Sequence, residues 1–176
     1  MDINMTSEPY VKLAIETVEK YISENVVIKA PADLPKEMLD TRAGAFVSIH
    51  ERGELRGCIG TIAPTCKNIA EEIIQNAISA CSKDPRFDRI RKEELPFLEY
   101  SVDILGEPED ISSEAELDVK TYGVIVTKGY RRGLLLPDLE GVDTVSEQVD
   151  IAKRKAGIGP DEAVELKRFK VTRHLP

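Results

Sequence analysis

The sequence of 176 residues contains no tryptophan, and its aromatic residues are five Tyr and four Phe. It therefore offers little material for a surface on which nucleic-acid bases stack. It also lacks an excess of positive charge, because it contains 24 Lys and Arg and 32 Asp and Glu, which gives a net charge of -8. This sign disfavours attraction to phosphate backbones. Nucleic acid is not an expected partner.

Cysteine and histidine are scarce as well. The three cysteines, Cys58, Cys66 and Cys81, are odd in number and form no CxxC pair. This pattern argues against both a disulfide framework and a zinc ribbon, and it favours a reducing compartment. Two histidines, His50 and His174, are too few for a multi-histidine metal site. We therefore expect no bound metal.

Long apolar runs are absent too. No segment approaches the roughly 20 apolar residues that a bilayer requires, and the first residues lack the pattern of a signal peptide. The sequence predicts a protein of the cytoplasm without a membrane partner. It contains no phosphate loop, dinucleotide fingerprint or metal motif, so no cofactor is expected.

Hydrophobic periodicity predicts helices interleaved with β-hairpins. The main helix, residues 64–82, repeats apolar residues at spacings of three and four and would pack Cys66 and Cys81 on its inner face. Further helices are predicted over residues 9–25 and from the capping box at 144–147 to Gly157, and strands over 45–50, 55–62, 100–105, 122–128, 133–136 and 165–172. This order favours an α+β fold, with helices on the faces of a mixed or antiparallel sheet, over a doubly wound sheet. The chain, residues 1–176, is predicted to be one domain of two small lobes, with the acidic residues 106–118 crossing between them.

The first predicted hairpin carries the most informative motif, Leu-Arg-Gly-Cys-Ile-Gly at residues 55–60. If the loop between the two strands has an even number of residues, His50 pairs with Leu55 and Arg56 lies among the aliphatic residues of the preceding strand. If the loop has an odd number of residues, His50 pairs with Arg56, and the apolar side chains are separated from the polar ones. Burying an unpaired guanidinium is costly, so the pattern favours an odd loop of three residues with Gly53 at positive φ. The polar group then comprises Ser48, His50, Arg56 and Cys58.

This group has the elements of a catalytic or binding site. A guanidinium within reach of Cys58 favours the thiolate, and His50 is a candidate proton carrier, so both are candidate catalytic residues. Arg56 is alternatively a bidentate holder of a carboxylate or phosphate, and Ser48 a further substrate-binding residue. Two alternatives stay open: a strand cysteine is often a small buried hydrophobe, and a histidine at a strand end is often only solvated.

Two other loops contain candidate binding residues. In the segment after the main helix, Asp84 is expected to pair with Arg56 or with Arg86, which would place Asp84 and Arg86 beside the substrate. The alternative is a structural turn, because Asp-Pro is a common helix breaker. Arg131 and Arg132, at the tip of the second hairpin, are candidates for binding an acidic partner, or they serve to keep a sheet edge soluble.

Taken together, these motifs resemble the AMMECR-type domain, also called AmmeMemoRadiSam system protein A. The resemblance rests on residues 55–60, 84–87, 101–105, 123–126, 133–137 and 155–157, which occur in the family's order. Two positions depart from the family pattern: Val142 stands where a tryptophan is usual, and Arg154 where a cysteine is common.

The resemblance implies an α+β fold of two lobes packed around a cleft, with the motif at residues 55–60 lying at or near it. It implies Arg56 and Cys58 as functional positions, with Asp84 and Arg86 as companions. Members are often encoded beside, or fused to, a Memo-like and a radical-SAM-like protein. Those two proteins are therefore expected partners in a shared pathway.

Two functions fit these observations. The first is a cleft that binds a small molecule, anionic by the chemistry of arginine, with Cys58 as the nucleophile if the protein is an enzyme. The second is a non-catalytic module that docks a partner protein and in which residues 55–60 are architectural. The sequence does not decide whether the protein is an enzyme.

Overall fold

A computed structural model of the chain describes residues 4–176, with side chains from residue 9 onward. It confirms the predicted α+β class. The helices are α1 (Asn4–Glu24), α2 (Lys36–Asp40), α3 (Ile69–Ser82) and α4 (Val145–Ala156), and short 3-10 turns cover Lys92–Phe97 and Glu114–Glu116. The strands are β1 (Gly44–Glu51), β2 (Glu54–Gly60), β3 (Leu98–Leu105), β4 (Glu109–Ile111), β5 (Tyr122–Lys128), β6 (Arg131–Leu135) and β7 (Glu165–His174).

The chain divides into two compact units. The first holds the residues up to Ile104 together with Thr172–Pro176, and the second holds Leu105–Val171. Residues 106–118, predicted to be irregular, belong to the second unit and contain β4 and a 3-10 turn. The pairs β1–β2, β4–β7, β5–β6 and β5–β7 are all antiparallel, which favours the antiparallel alternative for the sheet.

In the first unit, α1 and α3 pack against one another, and α3 packs on β1 and β2. The strands follow the order β2-β1-β3. The alternation predicted for β1 holds, because Ala45, Val47 and Ile49 are fully buried and the residues between them are only partly covered. Most of the unit's apolar core therefore lies between this face of β1 and the inner faces of the two helices.

Helix α3 begins at Ile69, five residues later than predicted, so Cys66 precedes the helix instead of packing on its face. Asn68 provides the cap, because its side chain accepts the amide hydrogen of Glu71. The fully buried Glu72 then holds the preceding loop by accepting the amide hydrogens of Thr65 and Cys66, both at 2.9 Å. Hydrogen bonding by these side chains therefore makes the helix begin later than hydrophobic periodicity indicates.

The second unit pairs β7, β5 and β6 in that order, with β4 against β7. Helix α4 has the predicted ends, because Thr144 accepts the amide hydrogen of Glu147 and Gly157 follows at φ 71°. The helix crosses β6 closely, since a side chain at Gly133 would overlap the carbonyl oxygen of Ala152. The core of this unit lies between α4 and the strands.

The β1–β2 hairpin corrects the predicted loop. Its turn has two residues, Arg52 and Gly53, both at positive φ (53° and 84°), and His50 lies opposite Leu55. The expected positive φ of Gly53 is confirmed, but the three-residue loop was wrong. Between the pairs His50–Leu55 and Ile49–Gly57, the second strand contains one extra residue, Arg56, which has no partner on β1 and forms a β-bulge. Beyond this bulge the strands are paired as the three-residue loop would have paired them, so Ser48 lies opposite Cys58.

Candidate functional site

Cys58 and Ser48 form the centre of the candidate site on the first unit. The register places them opposite one another on β2 and β1, and their Oγ and Sγ atoms are 3.2 Å apart. Both residues are partly buried. The convergence of these two side chains, expected from the segregation of polar and apolar residues, is therefore present in the fold.

The backbone of Cys58 is bound by the loop that follows α3. Asp84 accepts the amide hydrogen of Cys58 at 3.0 Å, and Arg86 donates from Nη2 to the carbonyl oxygen of Cys58 at 3.2 Å. Strand β2 ends the order β2-β1-β3, so its outer edge requires such partners. Asp84 and Arg86 thus act on Cys58 as a neighbouring strand would.

Asp84 pairs with Arg86, which was one of the two partners considered. Arg86 donates from Nε to Oδ1 at 3.0 Å and from Nη2 to Oδ2 at 2.8 Å. The Arg86 side chain bonds, followed by the Cys58 amide hydrogen bond, hold the pKa of the Asp84 carboxyl at about 2, well below its ordinary value. The carboxylate is almost completely buried, whereas 56 % of the Arg86 side chain is exposed. Among the residues that the structure describes, Arg86 Nη1 has no hydrogen-bond partner.

Arg56 is directed towards the segment after this loop. It forms a bidentate pair with Glu94, from Nε to Oε1 at 2.9 Å and from Nη2 to Oε2 at 3.1 Å. It also donates to the carbonyl oxygens of Asp88 and Arg89. Only 16 % of its side chain is exposed. The guanidinium therefore fastens the bulge of β2 to residues 88–94, and its bidentate edge is occupied.

His50 is half-buried on β1 and directly follows the buried Ile49. It makes no hydrogen bond or ion pair with any residue in the described part of the chain. Ser48 is the side chain that contacts the Cys58 sulfur, and the structure does not bring His50 to it through a hydrogen bond.

The surroundings of Cys58 favour the neutral thiol. Desolvation raises the pKa of the Cys58 thiol above its ordinary value, and the carboxylates of Asp103 and Asp84 raise it further. The Ser48 hydrogen bond and the Arg86 charge lower the pKa without compensating for burial. These contacts favour the protonated, hydrogen-bonding thiol over the nucleophilic thiolate.

Sequence reasoning missed three residues around this site. Glu94 neutralises Arg56, and the only sequence signal was its position three residues after Arg91, whose amide hydrogen it accepts at 2.6 Å. Asp103 and Arg173 form an ion pair, with Nε and Oδ1 2.8 Å apart. The alternation of β3 signals Asp103, because Tyr100 and Val102 are buried on the other face. Nothing in the local sequence pairs it with Arg173, 70 residues later.

Comparison with known proteins identifies the family. The AMMECR1 family model matches residues 11–174. The chain belongs to the AMMECR1 family. It is 54 % identical over 168 residues to a Thermotoga maritima protein, covering 94 % of this chain and 97 % of that one. It is also 52 % identical to Protein CA_C1420 of Clostridium acetobutylicum, covering 95 % of this chain but 36 % of the longer relative.

A solved structure of another AMMECR1-like chain has the same fold. The crystal structure of Uncharacterized Protein PH0010 from Pyrococcus horikoshii matches with a TM-score of 0.89 at 31 % identity, and the match covers 97 % of this chain and 91 % of that chain. Among the described residues, no helix is both long enough and apolar enough to cross a membrane. In the same part of the chain, no three His, Cys, Asp or Glu side chains are grouped as a metal site.

Proposed function

We propose that this AMMECR1 protein uses the surface around Cys58 to bind a small anionic molecule. In this proposal Arg86 binds the anionic group, and Ser48 and Cys58 contact the rest of the ligand through hydrogen bonds. The observation that carries the proposal is the state of Arg86. Its guanidinium is fixed by a buried carboxylate, yet more than half of the side chain is exposed beside a partly buried thiol.

Prior ordering makes Arg86 a better ligand-binding group than a free surface arginine. Ordering a long side chain on binding costs roughly 0.5–1.5 kcal/mol, and Asp84 already imposes that order. Three donor contacts to Asp84 and Cys58 fix the plane of the guanidinium. The unpartnered Nη1 then offers a positioned charge-assisted hydrogen bond to a carboxylate or phosphate.

The proposal assigns Arg56 a structural role. A second anion at Arg56 would have to displace Glu94 from a bidentate pair in which both side chains are largely buried. Breaking such a pair leaves an uncompensated buried charge, which is strongly destabilising. Arg86, and not Arg56, is therefore the residue on which the anion-binding proposal depends.

The raised pKa of the Cys58 thiol favours a binding role over nucleophilic catalysis. The wider biological role that we propose is action in the cytoplasm, in a pathway with Memo-like and radical-SAM-like proteins. This pathway proposal rests on the family resemblance described above. It is tested by purifying this protein from a cell that encodes all three proteins and looking for the other two in the purified material. Their absence would contradict the proposal.

The alternative function is a non-catalytic interaction module. One observation favours it: Tyr130 is 96 % exposed at the tip of the β5–β6 hairpin, beside the exposed Arg132. Exposed tyrosine and arginine are frequent anchors of protein interfaces. Under this alternative, Tyr130→Ala abolishes capture of a partner, and Arg86→Gln leaves that capture intact.

The test of anion binding is a titration followed by amide chemical shifts. Inorganic phosphate and succinate are added to the isotopically labelled protein, with sodium chloride at matched ionic strength as the blank. We expect saturable shifts at the amides of Cys58 and Arg86, which Arg86→Gln removes. Arg154→Gln, an exposed arginine on α4, is the matched control and leaves the shifts unchanged. Shifts that also follow sodium chloride, or that persist in Arg86→Gln, would contradict the proposal.

A further inference from the structure

A groove of about 950 Å³ runs along the outer side of α3 in the first unit. Its volume lies within the range of small-molecule sites, roughly 300–1,000 Å³. One wall is the outer face of α3, and the other is the end of α1 with the segment that follows it. The groove does not include Ser48, Cys58, Arg86 or any other residue of the anion site proposed above.

The middle of the groove is apolar. Ile74 and Ile78 are one helical turn apart on α3, and Tyr21 and Ile28 face the same cavity from the opposite wall. Ile78, Tyr21 and Ile28 are each partly exposed, although all three are packed at the margin of the core. The groove therefore presents apolar surface to solvent that an apolar molecule would cover.

The rim of the groove is cationic, against the charge of the whole protein. Lys29, Lys67 and Lys83 line it, and Glu71 is the acidic residue among the lining side chains. Lys67 Nζ is 3.7 Å from Glu71 Oε1 and forms an ion pair with it. In the described part of the chain, Lys29 and Lys83 have no acidic partner within ion-pair distance. Arg89 adds another charge nearby, because its guanidinium lies 4.9 Å from the centre of the Tyr21 ring.

A neighbouring cavity shows that this charge is local. That cavity, of about 510 Å³, shares Lys29 with the groove and is also lined by Glu16, Glu19, Glu24 and Lys20, of which Lys20 pairs with Glu24. Carboxylates outnumber lysines there by three to two, whereas in the groove along α3 lysines outnumber carboxylates by three to one, so an anionic ligand is favoured in the groove. Charge complementarity thus selects both the groove and the sign of the ligand.

We propose that the groove along α3 binds an amphiphile with an apolar chain and a carboxylate head. The chain covers the partly exposed Ile78 and Ile28, and Lys29 and Lys83 interact with the head. A helix of 14 residues such as α3 is about 21 Å long, by a rise of about 1.5 Å per residue, so an extended acyl chain fits along it.

The test uses dansyl-undecanoic acid, a fluorescent acyl carboxylate, with the intact chain. We expect saturable fluorescence enhancement that unlabelled laurate reverses. Ile78→Asp should weaken binding by about tenfold or more, because it places a charge where the chain lies. Val26→Asp is the matched control: Val26 is 46 % exposed and does not line the groove, so this variant should bind like the wild type.

The head group is tested separately from the chain. Lys29→Gln combined with Lys83→Gln should weaken the carboxylate by about three- to tenfold, as expected for two exposed ion pairs, and leave the neutral dansyl-undecanamide unaffected. Lys170→Gln, an exposed lysine of the second unit, should change neither affinity.

A second readout does not depend on the dansyl group. Cys66 lines the groove, so bound laurate should slow its alkylation by iodoacetamide, measured by mass spectrometry in a variant with Cys58 and Cys81 replaced by serine. Equal affinity in Ile78→Asp, or no protection of Cys66, overturns the proposal. Binding of an acidic amphipathic peptide without binding of laurate also overturns it and identifies a peptide groove instead.

Discussion

The backbone amide of Cys58 donates its hydrogen bond to the Asp84 carboxylate, 26 positions later in the chain, at 3.0 Å. This bond joins two of the sequence motifs on which the family resemblance rests, residues 55–60 and 84–87. One motif supplies a strand edge and the other supplies the polar groups that close it. Their co-occurrence therefore has a structural cause, whether or not a ligand binds beside them.

The pair between Arg56 and Glu94 should contribute more to stability than a surface ion pair. Its side chains are 16 % and 12 % exposed, against 52 % and 54 % for the pair between Lys20 and Glu24. A double-mutant cycle with Arg56→Met and Glu94→Gln, followed by urea unfolding, should give a coupling free energy of about 1–3 kcal/mol. The same cycle at Lys20 and Glu24 should give less than about 0.5 kcal/mol. Equal couplings would mean that Arg56 does not fasten the bulge.

Gly57 should not tolerate a side chain. It lies opposite Ile49, and a Cβ there would overlap the carbonyl oxygen of Ala80 on α3, which is backbone and cannot rotate away. Gly57→Ala should lower the free energy of unfolding by about 2–3 kcal/mol. Gly106→Ala is the control, since its Cβ would meet Lys170 at an ordinary distance of 3.5 Å. If Gly57→Ala lowered the free energy of unfolding as little as Gly106→Ala does, α3 would have to move to accommodate the methyl group.

Hydrophobic patterning predicted the parts of the fold that depend on burial. The face of β1 formed by Ala45, Val47 and Ile49 and the inner face of α3 are as expected, because any other orientation exposes them. The polar pattern also predicted that Ser48 meets Cys58. Patterning did not show where the hairpin accommodates its extra residue. A bulge at Arg56 and a three-residue turn both separate the polar side chains from the apolar ones, and the structure has the bulge.

The polar partners were harder to predict, for a physical reason. The partner of Arg56 is 38 residues away, and the partner of Asp103 is 70 residues away. Charged residues are abundant in this sequence, so composition leaves many pairings possible, and only the folded backbone selects among them. The role of Arg86 as an exposed but ordered arginine likewise depends on the burial of Asp84, which its local sequence does not indicate.

Cys58 should titrate as a buried thiol. In a variant with Cys66 and Cys81 replaced by serine, the rate of alkylation at Cys58 should stay low at pH 7 and rise at a higher pH than for an ordinary thiol, because desolvation raises the thiol pKa. Ser48→Ala should raise the apparent pKa further, since its hydrogen bond favours the thiolate. Asp103→Asn should lower it. A pKa below about 8.5, the ordinary value, would restore the nucleophile hypothesis.

Acid should destabilise the first unit through Asp84. Its pKa is about 2 in the folded protein and about 4 in the unfolded chain, so the carboxylate stabilises the fold above pH 4. That contribution, about 2 kcal/mol, is lost as the pH falls from about 5 towards 2, because the unfolded state then binds the proton first. Urea unfolding at a series of pH values measures this slope.

The Asp84→Asn variant separates this effect from general acid unfolding. The amide cannot titrate, so the variant should be less stable than the wild type at pH 7 and lose less stability between pH 5 and pH 3. Asp88→Asn is the control, because Asp88 is exposed and contributes its carbonyl oxygen, not its side chain, to the bond with Arg56. It should follow the wild-type curve. Parallel curves for Asp84→Asn and the wild type would mean that the Asp84 carboxylate is not what anchors β2 to the loop after α3.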